Sequence, residues 1–416
     1  MEIVLLDENR FDQFAISHPN SNYYQTSNYG KLMSSHGYNA YYLGLTDNLG
    51  SIKAATLIAV KNESSNKRKM GYAPRGFLID WNDDELVKEF TEKLKTYLSK
   101  RGFTYLKVDP YIVYKEYDNT GNEKVVGESN LSFVQKLQKL GYIHMGYNNG
   151  TEASNLRWNA LTELNINNIS LFNSLTKEAK AKINEAARLG NKIYKGSAND
   201  ISLLHSLFEK DEVPMALLTD YYQFYGQNEG CEIYFSKLEP ASFVNSSKLC
   251  YEKEEQRNND LNMQIQDWNN PNKNEIINNK LKSDELLAKY KKNMIEAINM
   301  FQKYPSGIVT SGVILIKYHK TITFAVCAVN SLFKDQNPNY LLMWQLMQEF
   351  GRQGYTLADF NGITGSLKND PSNIEKIELS NKIVEYVGEF DLVINKKSYY
   401  TGSKLNPILN WLNTPI

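Results

Sequence analysis

The chain has 416 residues, 42% of them apolar and 23% charged, and its 47 basic and 47 acidic side chains cancel. That length exceeds one typical domain and that composition excludes a disordered chain, so two or more packed cores are expected. Charge balance removes any global basic field for nucleic acid, which leaves anionic ligands to be met by local patches.

The opening "MEIVLLDENRFDQF" reaches acidic residues too early for a secretory signal, and no run approaches the ~20 apolar residues of a membrane helix. A cytosolic protein is predicted. Cys231, Cys250 and Cys327 form no CxxC pair and the five histidines show no HExxH spacing, so neither a metal nor another cofactor is expected.

"IKAATLIAVK" (52–61) and "KMGYAPRGFLI" (69–79) read as two strands of a hairpin joined by the polar turn "NESSNKR". "DDELVKEFTEKLKTYLSKRG" follows with Leu86, Phe90, Leu94, Tyr97 and Leu98 at helical spacing, acidic residues at its start and Gly102 at its stop. The next strand, "FTYLKVDPY" (103–111), ends on Asp109 immediately before Pro110. A carboxylate at a buried strand end costs several kcal/mol unless it is paired or used, and proline blocks the ladder beyond it. Asp109 is therefore either an Asx-type cap of the turn or a functional group facing a cleft.

The same order returns near the C-terminus. "GIVTSGVILIKY" and "TITFAVCAVN" make a second hairpin, "NYLLMWQLMQEFGRQG" a second helix ending at Gly354, and "YTLADFN" a second strand. Set over each other, "RGFTYLKVD" (101–109) and "QGYTLADFN" (353–361) match glycine with glycine, aromatic with aromatic and threonine with threonine, and Asn361 falls on Asp109. A hairpin, helix, strand unit occurring twice predicts a duplicated α/β domain. Between the copies, residues 241–303 are rich in Asn, Lys and Glu, with one proline, Pro271. Ile277, Leu281, Tyr290, Met294, Ile298 and Phe301 recur there at helical intervals, which predicts an antiparallel helical hairpin broken at "NNPNKN". Such an arm either packs only on itself or contacts a macromolecule. The organisation expected is 1–150, 151–240 and 304–416 for the α/β parts and 241–303 for the arm.

No GxxxxGK[ST] loop, GxGxxG turn or GxSxG elbow is present, which argues against nucleotide hydrolysis, dinucleotide redox and α/β-hydrolase chemistry. The repeated unit also occurs in GNAT acyltransferases, but their glycine-rich pyrophosphate loop is missing, so a coenzyme A donor is not supported.

Five stretches together carry a wider resemblance: "GYAPRGFLIDW" (71–81), "YLKVDPYIVY" (105–114), "LTKEAKAKINEAARLGNKI" (175–193), "FNGITGS" (360–366) and "IVEYVGEFDLVIN" (383–395). In this order they resemble the Fem/MurM family of aminoacyl-tRNA-dependent peptidyltransferases that build the interpeptide bridges of peptidoglycan. The resemblance implies two GNAT-like subdomains with an inserted helical arm. It implies an aminoacyl-tRNA donor and a lipid II or UDP-muramyl-peptide acceptor, hence contact with the inner membrane surface and possible assembly with itself or related enzymes. It places Asp109 at the acceptor ammonium, as a base or a positioning anion, and Lys376 at the developing oxyanion or the tRNA phosphates. Glu375 stands where the family has an aromatic residue before that lysine. Lys31 is matched to a grip on the acceptor's diphosphate, and Tyr221 and Tyr222 to a paired aromatic motif. Leu217 replaces the arginine of that motif; Arg75 is the candidate substitute, and Asn361 completes the expected substrate-binding set. Two rival readings remain: a GNAT-type N-acyltransferase with another activated donor, and a non-catalytic scaffold.

Overall fold

A computed structural model describes residues 1–61, 69–124, 131–165, 167–209, 212–226, 230–266 and 273–401. Strands β1 (Glu2–Leu5), β2 (Tyr38–Thr46), β3 (Ile52–Lys61) and β4 (Lys69–Ala73) follow one another antiparallel, and β5 (Phe103–Val108) then joins β4 in parallel. The parallel step needs a crossover, and helix Asp84–Ser99 supplies it. Asp83 caps that helix by accepting the Leu86 N–H, and Asp84 and Glu85 sit in its positive first turn. Val87, Phe90, Leu94 and Leu98 are buried against the sheet, each side chain contributing about 1.5–3 kcal/mol. Gly102, at φ +76°, turns the chain back into β5.

β4 stops at Ala73, short of the strand expected to Ile79. Pro74 has no N–H to donate and Arg75 adopts a left-handed φ of 49°, so the chain leaves the ladder; only Leu78 keeps a bridge, to Ala55. The turn "NESSNKR" lies outside the described residues.

The second copy repeats this topology. β12 (Ile308–Tyr318) and β13 (Thr321–Val329) form a hairpin whose turn runs through His319 at φ 53°, and helix Pro338–Arg352 carries the chain to β14 (Leu357–Ile363), parallel to β13. Pro338 opens the helix at a position with no hydrogen bond to lose, and Gly354 closes it at φ +90°.

The two sheets do not divide at residue 150. The first has the order β1-β2-β3-β4-β5-β16-β8, with β16 (Phe390–Val393) from the C-terminal region inserted between β5 and β8 (Tyr142–His144). The second, nine strands wide, runs from β10 (Asn191–Lys195) and β11 (Cys231–Leu238) through β12, β13 and β14 to β9 (Trp158–Glu163) and β15 (Lys382–Tyr386). It ends on β6 (Val113–Tyr117) and β7 (Glu123–Lys124), which come from the N-terminal region. The chain passes from β15 to β16 through Gly388 at φ +92°, so "IVEYVGEFDLVIN" stitches both sheets together. Strand patterns are local in sequence but these pairings are not, which is why a linear division misses the exchange.

One apolar cluster joins the two halves, with Phe11, Tyr29 and Leu32 against Leu217, Tyr221, Phe235 and Ile314. Two others fill the remaining faces of the first and second sheets.

Helices Pro240–Gln266 and Lys273–Lys303 pair as an arm. Its seam holds Leu261, Ile276 and Ala297 and a polar layer in which Asn258 donates to Ser283 and Asp284, and Ser283 to Glu254. Ile277, Leu281, Ile298 and Phe301, which the helical spacing suggests as a packing face, are exposed instead. The arm's base is anchored, with Phe243 and Ala297 packed on Leu189, Leu238 and Phe333.

Candidate active-site cleft

Asp109 leaves β5 where Pro110 ends the ladder, and it is 3% exposed. Its Oδ1 accepts the Tyr72 hydroxyl at 3.0 Å and the Arg75 backbone N–H at 2.7 Å, while Oδ2 accepts the Asn155 amide at 2.9 Å. The Arg75 guanidinium lies alongside, Nε 3.7 Å from Oδ2, donates to the Leu156 carbonyl at 2.7 Å and stacks 4.5 Å over the Tyr386 ring. Burial pushes the Asp109 carboxyl up; Arg75 and the Asn155 amide pull it back. With three donors and a guanidinium aimed at two oxygens, Asp109 is a satisfied anion. The crevice beside it, lined by Arg75, Asn155, Arg157 and Glu389, has about 10 Å³ to spare, room for one water and not for an ammonium-bearing side chain.

The roomier site lies on the second sheet. β13 and β14 pair only over Thr321–Thr323 and Leu357–Asp359, then part, and β14 bulges between Asp359 and Gly362 as Asn361 takes a φ of 66°. Beside this parting is a cavity of about 320 Å³, walled by Tyr23 and Tyr24 from the loop preceding helix Ser27–Ser35, by Tyr111, and by Thr323 and Asp359. Tyr24 donates to the Asn361 side chain at 3.4 Å, tying the first unit to the bulge.

Asp359 is 6% exposed. Its two oxygens each lie 3.2 Å from the Asn159 amide nitrogen, and Oδ1 accepts the Asn361 N–H at 2.7 Å. Burial raises its carboxyl to about 6 against the opposing pull of these donors, Arg75 and Lys376. Lys376, on the short helix Ile374–Leu379, donates to the Gly362 carbonyl at 3.0 Å, and burial lowers its ammonium pKa. Glu375 accepts from Asn339 at 3.2 Å and is pushed by burial to about 7; the Cys327 thiol is pushed to about 12. An amine and two carboxyls are thus displaced toward neutrality, as proton handling at pH 7 requires, and of the three, Asp359 lines the cavity.

Asn361 meets the cavity wall through Tyr24, Arg75 stands beside Asp109 with its guanidinium carbon 5.9 Å from the centre of the Tyr111 ring, and Lys376 is fastened to the β14 bulge through the Gly362 carbonyl. The other expected residues do not join them. Lys31, 43% exposed, pairs with Glu8 at 2.9 Å on the outside of helix Ser27–Ser35. Tyr221 is buried in the cluster between the halves, Tyr222 packs partly buried against it, and Leu217, where the arginine was expected, is core. Sequence reasoning missed Asp359, Tyr24 and Tyr111. The signal for Asp359 was present: "TLADF" puts a carboxylate inside an apolar strand, the same anomaly that singled out Asp109.

Among the described residues no helix is long and apolar enough to cross a membrane, and no group of three His, Cys, Asp or Glu is placed to hold a metal.

Residues 6–406 match the sequence model of the FemAB family. The aminoacyltransferase FemA of Staphylococcus aureus (strain bovine RF122 / ET3-1) is 24% identical over 418 residues, covering 97% of this chain and 98% of that one; the FemA of strain MRSA252 gives the same figures. The crystal structure of FemX superposes with a TM-score of 0.75 at 18% identity, covering 96% of this chain and 99% of the other, which fixes the fold.

Proposed function

Since the chain belongs to the FemAB family and is an aminoacyltransferase, we propose that it takes an aminoacyl group from charged tRNA and joins it to the stem-peptide amine of lipid II or its UDP-muramyl-peptide precursor. The observation that carries this reading is the tyrosine-walled cavity beside the β13–β14 parting, lined by Asp359, with Lys376 held at the adjoining bulge by the Gly362 carbonyl. The work lies in letting an amine lose its proton and in stabilising an ester oxygen as it becomes negative; the ester is already activated, so no enzyme nucleophile is required.

The acceptor nitrogen attacks the ester carbonyl, the N–C bond forms, and the C–O bond to the tRNA ribose breaks. Of the acceptor ammonium's three protons, one stays on the amide, one goes to the departing ribose oxygen and one to solvent. Lys376, held by the Gly362 carbonyl, supplies positive charge at the oxyanion. Glu375, poised at about 7, is the proton acceptor nearest to it in sequence. Asp109 acts at one remove: with Tyr72 and Asn155 it fixes Arg75, whose charge reaches the cleft. Lys31, on the outside, is left for an acceptor phosphate, and a lipid-linked acceptor would bring the protein to the membrane surface.

The test is incorporation of labelled amino acid from charged tRNA into a lipid II analogue and, separately, into a UDP-muramyl-pentapeptide. Transfer to either, lost in Lys376→Met, supports the reading; no transfer to either by folded protein, over a full set of charged tRNAs, refutes it.

A further inference from the structure

Eight carboxylates are buried among the described residues: Asp109, Glu232, Glu254, Asp359, Glu378, Glu385, Glu389 and Asp391. Seven have a basic partner. Arg75 stands beside Asp109, Lys317 and Lys195 beside Glu232, Arg257 beside Glu254, Lys182 beside Glu378, Arg157 beside Glu385, and Lys107 beside both Glu389 and Asp391. Asp359 alone has no lysine, arginine or histidine nitrogen of the described residues within 4 Å, and it is the one that lines a cavity of about 320 Å³.

A buried anion without a counter-ion, facing an open cavity, is a site built for a cation that arrives with a ligand. The cavity's chemistry narrows that cation. Among the described residues no group of three His, Cys, Asp or Glu side chains is placed to hold a metal, and of these side chains the cavity offers only Asp359 and the exposed His319. The walls include the rings of Tyr23, Tyr24 and Tyr111, whose faces attract an organic ammonium, and hydroxyls such as Thr323 that can accept its remaining N–H groups; His319 and Lys320 also line the cavity but are exposed, in contrast to the buried Asp359.

We propose that Asp359 binds the free α-ammonium of the aminoacyl donor, so that the cavity selects α-amino esters over neutral acyl esters. This rests on the transfer reading above. In that reading Lys376 faces the ester carbonyl oxygen, and the α-ammonium is attached to the carbon next to that carbonyl; Lys376, on the Gly362 carbonyl, and Asp359, on the Asn361 N–H, are both fastened to the β14 bulge, a cation and an anion to match those two groups. Asp109 cannot take this place, because its oxygens are already occupied and its crevice has room for no more than one water.

The test has two arms. In the first, the same tRNA is charged with an amino acid or with the matching α-hydroxy acid. Wild type should favour the amino donor in kcat/KM by at least about 10²-fold, and Asp359→Asn should bring the amino donor down to the level of the hydroxy donor, which itself changes less than about threefold. An equal loss on both donors, or an intact preference in the variant, overturns the proposal. A rise in acceptor KM without loss of donor preference assigns the pocket to the acceptor amine and overturns it equally. The second arm needs no transfer: glycine and alanine ethyl esters, against ethyl glycolate and ethyl lactate, are titrated into the full chain by saturation-transfer NMR. Binding of the ammonium esters only, lost in Asp359→Asn, upholds the pocket even if no tRNA donor reacts. Transfer activity with no ammonium preference removes the pocket and leaves the function standing.

Discussion

Replacing Asp359 by asparagine should make the protein more stable. Its carboxyl is raised from the ordinary 3.8 to about 6, roughly two pKa units at about 1.4 kcal/mol each, so the ionised group costs the native state up to about 3 kcal/mol at neutral pH. The charges of Arg75 and Lys376 are already counted in that balance. Asparagine keeps an oxygen for the Asn361 N–H, and its new N–H₂ can face the Asn159 side-chain oxygen, which is buried without a partner. The sign follows from proton binding. Between about pH 4 and pH 6 the native Asp359 holds a proton that the unfolded chain has released, so this group's contribution to stability falls as pH rises through that window and is then constant. Asp359→Asn has no such loss. Urea unfolding at pH 4 should therefore find the two proteins alike, and at pH 7.5 should find the variant ahead by about 1–3 kcal/mol. A variant equal to or weaker than wild type at pH 7.5 would refute the claim that this carboxylate lacks compensation.

Asp109→Asn should do the opposite, costing about 3 kcal/mol by leaving the Arg75 guanidinium buried without its anion, and lowering turnover by roughly 10²-fold; urea midpoints and initial rates read both, and wild-type stability would remove the pair from its supporting role. Lys31→Ala should change stability by less than about 0.5 kcal/mol, since its pair with Glu8 is exposed, while raising KM for the acceptor at constant kcat; an unchanged KM takes Lys31 out of the acceptor site. Trimming the arm to its base, with residues 250–292 replaced by a short Gly/Ser turn, spares Phe243 and Ala297 in the anchoring cluster, which a cut at 243–301 would remove. The trimmed protein should stay folded, bind charged tRNA more weakly and show a flatter salt dependence; an unchanged affinity and slope would assign the arm another role.

The repeated unit was legible because its parts are local: hydrophobic period, acidic helix starts, and glycines at Gly102 and Gly354 that take the left-handed turn. The exchange of β6, β7 and β16 between sheets was not, because the pairing of Phe390 with Val108 or of Ile383 with Tyr117 is decided by shape across the whole fold. At the site, the anomaly of a carboxylate at a strand end singled out Asp109 but could not show its occupancy, since Tyr72 and Asn155 reach it from elsewhere in the chain. The same rule applied to "TLADF" would have found Asp359. Tyr221 shows the converse: a tyrosine pair at helical spacing is also what a core between two halves looks like.

Placing β16 beside β5 has a consequence on the ribosome. Phe103–Val108 is made early, and its neighbour Phe390–Val393 emerges only after some 280 further residues, roughly 15–60 s later at bacterial rates of synthesis. Through that interval β5 is a bare edge, apolar on both sides and open to pairing with any other strand. A messenger cut short just before residue 390 would yield a product whose second sheet has all its strands, β15 included, while the first lacks β16, the strand that joins β5 to β8.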